Sequence, residues 1–178
     1  SPPPPNKGGK GTQVTSKTLY NKGGKKRLER GWKSLGIRQN RKTSNVDLLK
    51  IITELFRFKL IKDKFGNEYV LNDNNPLKSI ESINDKTAFE AVENHVHIID
   101  KVNGNEFETI CLVGQVLGKV LICYLEKLYP DKKFVVFVTV TVNDSFIIRF
   151  HQKWANEPYY YDTSYDYGND TKVLMFES

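Results

Sequence analysis

The chain has 178 residues, a length that suits one domain with a tail, because single domains usually span roughly 100–200 residues. Its net charge of +6 is unevenly placed: residues 1–43 hold 12 of the 27 basic residues and one of the 21 acidic residues, so residues 44–178 carry a net charge of −5. An acidic domain repels phosphate, which argues against nucleic-acid binding by the folded part and favours a basic protein partner.

The composition also argues against a membrane-spanning or exported chain. No run approaches the roughly 18–20 apolar residues that cross a bilayer, and the start lacks the charged-then-apolar order of a signal peptide. We therefore expect a cytoplasmic domain, and the first residue, Ser1, suggests a piece excised from a longer polypeptide. Cys111 and Cys123 lie too far apart along one predicted helix to form a disulfide, and we expect both to be buried free thiols.

The first 43 residues are predicted to be a linker followed by a basic arm. Residues 1–11 combine a polyproline run with Gly and Lys, a composition that has nothing to bury and stays extended. Residues 12–43 place clusters of Lys and Arg among few apolar side chains, which is typical of a solvated tail. A single folded domain is therefore expected over residues 44–178.

The spacing of apolar residues predicts three helices in that domain. The first spans residues 45–58, behind a capping serine or asparagine. The second starts at Asp85 and carries an apolar stripe as far as Ile99. The third begins at Asn105, in a sequence that resembles a capping box, and continues to the helix-breaking Pro130.

Two hairpins and one further strand are also predicted. Short strands at 60–63 and 68–71 flank a Gly/Asn turn. Longer β-branched and aromatic strands at 134–142 and 146–151 flank an Asn-Asp-Ser turn and should pair antiparallel, and an edge strand is expected at 172–176. This order of elements predicts an α+β fold with helices packed on one face of an antiparallel sheet.

Alternation along the longer hairpin places a candidate catalytic set on one sheet face. Arg149 and His151 share a side of their strand, and Thr139 and Thr141 lie on the same side of the neighbouring strand, a face that we expect to be open to solvent. Metal-free ribonucleases need a group that transfers protons near neutral pH and a cation beside the phosphate, and this set could supply both. The alternative is an ordinary solvated face on which Arg149 pairs with a carboxylate, such as Glu157 or an acid of the 162–170 loop.

Other ligand-binding motifs are weak or missing. On the predicted second helix, His95 and His97 point about 200° apart and cannot hold one metal ion. On a strand they would share a face and could bind zinc, but no Cys pair and no HExxH spacing accompanies them. Gly114 and Gly118 form a small-residue helix face for close packing, with no Gly-rich strand-to-helix turn before them, which argues against a nucleotide-binding loop. We therefore expect neither a metal nor a cofactor.

The unusual surface feature is a segment rich in tyrosine and aspartate, residues 158–170. Tyrosine provides a large contact area at low entropy cost and is enriched at interface hot spots, and the acidic residues would complement a basic partner. The alternative is a loop that folds over its own sheet. The candidate partner-binding residues are Tyr159, Tyr160, Tyr161, Asp162, Tyr165, Asp166 and Tyr167.

Two segments carry a resemblance to known proteins. After the linker PPPPNKGG, the segment KGTQVTSKTLY resembles the junction that precedes the C-terminal toxin domains of LXG- and WapA-type polymorphic toxins of Gram-positive bacteria, over residues 7–24. The Pro-Gly-Gln-rich continuation of that family is missing after Gly24. From about Val46 onward, ENHVHIID and VTVNDSFIIRFHQKWANEPYYYD are similar to segments of the small cytosolic proteins encoded beside such toxins.

The resemblance implies an immunity-type module that binds and neutralises a cognate basic toxin. The alternative is a metal-independent ribonuclease toxin domain, secreted as part of a larger toxin, in which His151 and Arg149 act on phosphate and the basic arm contacts nucleic acid. A housekeeping interaction domain is the third interpretation.

Overall fold

Residues 44–77, 80–81 and 83–178 are described by the computed structural model, so the predicted linker and basic arm lie outside the described residues. The described part is an α+β domain with antiparallel sheets, which confirms the predicted fold class. In chain order its helices and strands are α1 (Asn45–Leu55), β1 (Phe58–Lys62), β2 (Glu68–Asn72), α2 (Lys86–Glu93), β3 (His95–Ile99), α3 (Phe107–Leu128), β4 (Phe134–Thr141), β5 (Phe146–Gln152) and β6 (Thr171–Glu177).

The main sheet has four strands in the order β3-β5-β4-β6, and every neighbouring pair is antiparallel. The predicted pairing of the long hairpin is confirmed, with Val138 opposite Ile148. The predicted edge strand is confirmed as β6, which pairs with β4. Strands β1 and β2 form the predicted short hairpin as a separate two-stranded sheet.

Helix α3 covers one face of the main sheet, which we call the inner face. Alternation along β4 and β5 sends their large apolar side chains to this face, and Leu121 and Leu125 of α3 meet them in the core. The inner-face side chains of the two central strands are all buried: Phe134, Val136, Val138, Val140, Phe146, Ile148 and Phe150.

Two glycines allow α3 to lie close to the sheet. A Cβ atom on Gly114 would come within 2.7 Å of Cγ1 of Val138, and one on Gly118 would overlap the ring of Phe176. The small-residue face predicted for these glycines is therefore confirmed, and it packs on the sheet.

Helix α3 corrects two expectations. With the 3-10 turn before it, Gly104–Leu128 is long and apolar enough to cross a membrane by length and composition alone, with a mean hydropathy of 1.6 over an 18-residue stretch, although the core helix of a folded domain meets the same test. Both cysteines are free thiols, but Cys111 is half-buried and Cys123 is exposed, so the prediction that both are buried was wrong.

Helix α1 begins where the sequence predicts and ends earlier. The Ser44 hydroxyl accepts a hydrogen bond from the backbone N–H of Asp47 at 3.2 Å, and the Asp47 carboxylate accepts one from the Ser44 N–H at 3.1 Å, which forms a capping box. The helix ends at Leu55, three residues short of the predicted end, because Phe58 already pairs with Asn72 in the β1–β2 hairpin.

The second helix is much shorter than predicted, because its C-terminal half is a strand. Helix α2 ends at Glu93, and the side chain of Asn94 turns the chain: its amide donates to the carbonyl oxygens of Val70 (2.9 Å) and Phe150 (3.2 Å). The next residues pair with β5 as β3. The apolar residues up to Ile99 belong to two patterns, the helical spacing of α2 and the alternation of β3. The prediction of a helix was therefore wrong for His95–Ile99.

Candidate functional site

The face of the main sheet opposite α3, which we call the outer face, carries the predicted catalytic residues. Strand register places His95 of β3 opposite Arg149 of β5, with Phe137 of β4 on the other side of the arginine. His151 lies two residues further along β5, and the rings of His95 and His97 stand beside each other. All three histidines of the chain therefore belong to this face.

The outer face is not open, and the expectation that it faces solvent was wrong. Arg149 is only 6% exposed and His151 only 1%. Tyrosines of the segment 158–170 lie over them: the Tyr159 ring lies beside His151, and the Tyr161 ring packs edge-on against Phe137. The alternative that the tyrosine-rich loop folds over its own sheet is therefore what the structure contains.

Arg149 is held by aromatic rings and not by an acid. Its guanidinium carbon lies 4.8 Å from the ring centre of Tyr160 and 5.2 Å from that of Tyr161, which are cation–π distances. Among the described residues Arg149 forms no ion pair, and its Nε has no hydrogen-bond partner. The predicted pairing with Glu157 was wrong, because that carboxylate accepts the backbone N–H of Thr87 at 2.6 Å.

The environment of His151 is that of a structural histidine. Its Nδ1 lies 2.7 Å from the backbone oxygen of Gln152, so this nitrogen carries the proton and donates it. Its Nε2 faces the backbone N–H of Tyr160 at 3.5 Å. Burial lowers the pKa of His151 below its usual value, partly offset by the bond to Gln152. A general base needs a free nitrogen that faces a substrate, and backbone groups take up both positions here.

The two threonines do not join His151 around one substrate. In the register of β4 and β5, Val135 stands opposite His151, and Thr139 is four residues and Thr141 six residues further along β4. At about 3.3 Å per residue these separations are roughly 13 and 20 Å. The Thr141 hydroxyl instead lies 3.2 Å from that of Thr171. The four candidate catalytic residues thus share a face without converging.

The prediction that His95 and His97 point in opposite directions was wrong, because they lie on a strand and their ring centres are 4.5 Å apart. Burial, followed by the charge of Arg149, lowers the pKa of His95 to about 2, so its ring is neutral at pH 7. Asp100 lies 3.6 Å from Nδ1 of His97. Within the described ranges, no group of three or more His, Cys, Asp or Glu side chains is placed to hold a metal ion.

The tyrosines of the 158–170 loop form a continuous series of edge-on ring contacts that starts at the sheet. The Tyr161 ring centre lies 5.2 Å from that of Phe137, the Tyr167 ring 5.9 Å from Tyr161, and the Tyr165 ring 5.0 Å from Tyr167. Edge-to-face pairs of this kind are favourable beyond the area they bury. The series fixes the outermost ring, Tyr165, relative to the buried sheet.

Local hydrogen bonds fix the backbone of the same loop. The Asp162 carboxylate accepts the N–H of Ser164 at 3.0 Å, and the Asp166 carboxylate accepts the N–H of Gly168 at 2.8 Å. The Tyr167 hydroxyl donates to the backbone oxygen of Asp162 at 3.0 Å. Short polar side chains that bond to nearby backbone favour turns, so the loop is shaped by its own residues.

Another hydrogen-bonded group joins the start of the loop to the sheet. A hydrogen bond with Tyr159 raises the pKa of Lys153, and another lowers the pKa of Glu177. The Lys153 ammonium also lies 3.4 Å from the Glu177 carboxylate. Tyr159 therefore bridges the ends of β5 and β6.

The seven predicted partner-binding residues fall into two groups, three that are half-buried and four that are exposed. Tyr160, Tyr161 and Tyr167 are half-buried and hold the loop on the sheet. Tyr165 is 54% exposed. The residues of the set that face solvent are Tyr159, Asp162, Tyr165 and Asp166.

Sequence reasoning missed Glu90, a fully buried carboxyl group on α2. It accepts hydrogen bonds from the backbone N–H groups of Val70 (3.0 Å) and Gln152 (2.7 Å), from the Gln152 amide (2.7 Å) and from the Trp154 indole (2.9 Å). Burial raises its pKa to about 7, although these donors favour the charged form. Glu90 joins β2 to β5, and no sequence signal distinguishes it from a glutamate on the solvent side of a helix.

A second missed feature is the solvent side of α3. The apolar stripe predicted along this helix mixed residues that pack on the sheet with residues that face water. The exposed members extend over most of the helix. We call Leu112, Val113, Val116, Val120, Cys123 and Tyr124 the α3 stripe, and all six are exposed.

Comparison with known sequences gives one result. The family described as Uncharacterized protein PM0498 family matches residues 36–178, which include all of the described domain and exclude the junction-like residues 7–24. No curated protein and no solved structure matches the chain.

Proposed function

We propose that the chain, which belongs to the Uncharacterized protein PM0498 family, is a protein-binding module of the immunity type that neutralises a basic toxin through its 158–170 loop. The observation that supports this most is the construction of the loop. Its exposed residues include two tyrosines and three aspartates, and its backbone and rings are already fixed by internal contacts.

The charge of the loop favours a basic partner. Residues 158–170 contain three aspartates, Asp162, Asp166 and Asp170, and no lysine or arginine, within a domain of net charge −5. All three aspartates are exposed. Complementary charge raises the rate of association and suppresses binding to acidic partners, which suits a protein that must capture a toxin quickly.

The internal contacts of the loop favour tight binding. A flexible segment loses conformational entropy when it binds, and this loss is subtracted from the affinity. Tyr165 is restrained by Tyr167, and the turns at Asp162 and Asp166 are closed by their own carboxylates. A partner therefore meets a surface that needs little further ordering, as in matured antibody loops.

The ribonuclease alternative has less support. His151 is covered, and backbone groups contact both of its ring nitrogens. Thr141 lies roughly 20 Å away along the sheet. These observations argue against a shared catalytic centre. The alternative also makes a distinct prediction, because a toxin stops growth when it is expressed alone and an immunity protein does not.

Inducible expression in a naive bacterial host separates the two functions. We expect the full chain to be harmless alone and to restore growth when it is co-expressed with the toxin encoded beside its gene. Growth arrest by the chain alone, relieved by His151→Ala with the fold intact, would establish the nuclease. Failure to protect against any toxin of the locus would overturn the immunity proposal.

A charge-reversal pair tests the binding surface. Asp170→Lys changes an exposed acid of the loop whose side chain has no hydrogen bond to any described residue, and Asp131→Lys makes the same change at an exposed acid in the turn between α3 and β4. We expect Asp170→Lys to slow association with the toxin about tenfold or more and Asp131→Lys to leave it nearly unchanged. Equal effects would mean that only the net charge matters and would reject the loop as the site.

A further inference from the structure

The α3 stripe is an apolar surface that the residues described by the structure leave exposed. Leu112 is 65% exposed and Val116 is 60% exposed, although α3 buries its other side on the sheet through Gly114 and Gly118. Isolated exposed apolar residues are common, but a continuous apolar surface along one helix usually marks an interaction site.

The spacing of these residues indicates what covers them. Positions 113, 116, 120, 123 and 127 alternate steps of three and four residues, which is the a/d pattern of a coiled-coil seam. Valine and cysteine at the first four of these positions are small enough for another helix to approach closely. We propose that the α3 stripe is the contact between two copies of this chain, with their α3 helices packed antiparallel.

A two-fold axis near Gly118 makes the stripe complementary to itself. Val116 then faces Val120 of the partner subunit, and Val113 faces Cys123 of the partner subunit. Each contact occurs twice, as an isologous interface requires. Every layer between Val113 and Cys123 is filled by apolar or thiol side chains, and the layers repeat in the a-to-d′ order of antiparallel coiled coils.

Charges at the ends of the helix favour the antiparallel arrangement. Glu108 lies at the N-terminal end of α3 and Lys127 at the C-terminal end, and both are exposed. Antiparallel packing brings Glu108 beside Lys127 of the partner subunit at both ends, whereas parallel packing sets like charges side by side. Lys119 faces its own copy near the axis, at the solvent edge of the seam, where water screens the repulsion.

The area available is sufficient for a specific dimer. Judged from the exposed fractions of its members, the stripe offers on the order of 500 Å² per copy, or roughly 1,000 Å² for the pair, which is the minimum expected of a specific interface. The 158–170 loop covers the opposite face of the sheet, so the dimer leaves it uncovered. The proposal therefore does not depend on the proposed function.

Light scattering coupled to size-exclusion chromatography tests the proposal on the full chain. We expect twice the mass of one chain at micromolar and higher concentrations. Val116→Lys places two ammonium groups at the centre of the seam and should reduce the mass to one copy, while Val46→Lys, a matched change of an exposed valine on α1, should leave the dimer intact. A single-copy mass for the unaltered chain, or a dimer that survives Val116→Lys, would overturn the proposal.

A lipid surface is the competing occupant of such a stripe, and vesicles distinguish the two. Flotation with vesicles of phosphatidylcholine and phosphatidylglycerol should leave the unaltered chain in the aqueous fraction. Binding to vesicles by a monomeric chain, lost in Val116→Lys, would replace the dimer with a membrane contact.

Cross-linking tests the antiparallel register. Val113→Cys introduces a thiol that should lie opposite Cys123 of the partner subunit, so mild oxidation should give a disulfide-linked dimer on a non-reducing gel. The unaltered chain should not cross-link, because its two Cys123 residues would be ten helical residues, or roughly 15 Å, apart along the axis. Addition of Cys123→Ser to Val113→Cys should abolish the product. Absence of the product, or its survival without Cys123, would refute the register.

Discussion

The inner and outer faces of the main sheet are both covered, but with different chemistry. On the inner face, apolar side chains meet a helix that two glycines bring close, and Phe150 has no exposed surface. On the outer face, Phe137 is equally buried, yet its neighbours are Arg149, His151 and Tyr161 of the loop.

This difference suggests that the inner face supplies most of the stability and that the loop on the outer face is available for recognition. Burial of apolar area is favourable at any pH, whereas burial of an arginine and histidines has a desolvation cost that their contacts must offset. We therefore expect the inner face to set most of the free energy of unfolding. The outer face should be more sensitive to pH, and its loop should tolerate changes that alter binding.

Removal of an inner-face ring should have the largest effect. Phe150→Ala deletes a fully buried ring that lies 5.4 Å from Phe58 and 6.5 Å from Phe134, centre to centre. The free energy of unfolding should fall by about 3–5 kcal/mol, because a large buried side chain leaves a cavity. Urea denaturation followed by circular dichroism measures it, and Phe65→Ala, on an exposed turn, is the control and should change stability by less than about 0.5 kcal/mol.

Acid should destabilise the outer face next most strongly, through His95. Burial lowers the pKa of His95 from 6.5 to about 2 in the folded state, so folding favours the neutral ring. That stabilisation is present above pH 6.5 and is lost as the pH falls from 6.5 toward 2. At pH 4.5 the loss should be about 2–3 kcal/mol by proton linkage. Unfolding measured at pH 7 and pH 4.5 should show a smaller acid loss in His95→Gln than in the unaltered chain.

Glu90 acts in the opposite direction and must be measured separately. Its folded pKa of about 7 lies above the ordinary 4.5, so its contribution to stability is largest below pH 4.5 and declines as the pH rises to about 7. Glu90→Gln removes this slope and leaves that of His95. If the acid loss is the same with and without His95 in the Glu90→Gln background, the outer face is not the pH-sensitive one.

A smaller effect is expected where α3 meets the inner face. In Gly114→Ala the new Cβ atom would lie 2.7 Å from Cγ1 of the fully buried Val138, which cannot move away easily. Overpacking costs about 1–3 kcal/mol and alanine gains about 1 kcal/mol in helix propensity, so a net loss of roughly 1 kcal/mol is expected. Gln115→Ala, at an exposed neighbouring position, should be neutral or slightly stabilising; equal values for the two variants would show that α3 is not tightly seated.

The inner face was predictable from sequence, and the outer face was not. Alternation along 134–142 and 146–151 predicts both strands to within one residue of their observed ends, because apolar side chains at period two have only one stable placement. The segment HVHII was assigned to a helix, since its apolar residues also fit a helical stripe. Only its pairing with β5, a contact distant in sequence, decides between the two.

The prediction that the outer face is open was wrong for a related reason. Arg149 and His151 are polar, and polarity normally indicates exposure, so alternation predicts an open face and cannot decide whether the following loop covers it. Residue type alone predicts Tyr160 and Tyr161 as partner-binding residues, whereas both rings lie over Arg149 and are half-buried. Burial within the tyrosine cluster depends on contacts that composition does not encode.

The smallest stability effect is expected at the end of the ring series. Tyr165→Ala removes an exposed ring that packs edge-on against Tyr167 at the outer end of the loop, so the free energy of unfolding should change by less than about 0.5 kcal/mol. Tyr161→Ala removes a half-buried ring that contacts Phe137 and Arg149, and it should cost more, about 1–3 kcal/mol.

If the outer face serves recognition, Tyr165→Ala should weaken toxin binding about tenfold or more in titration calorimetry, because exposed, pre-ordered tyrosines act as hot spots. Unchanged affinity would leave the loop as a cover alone and would move the search for the toxin-binding surface elsewhere on the domain.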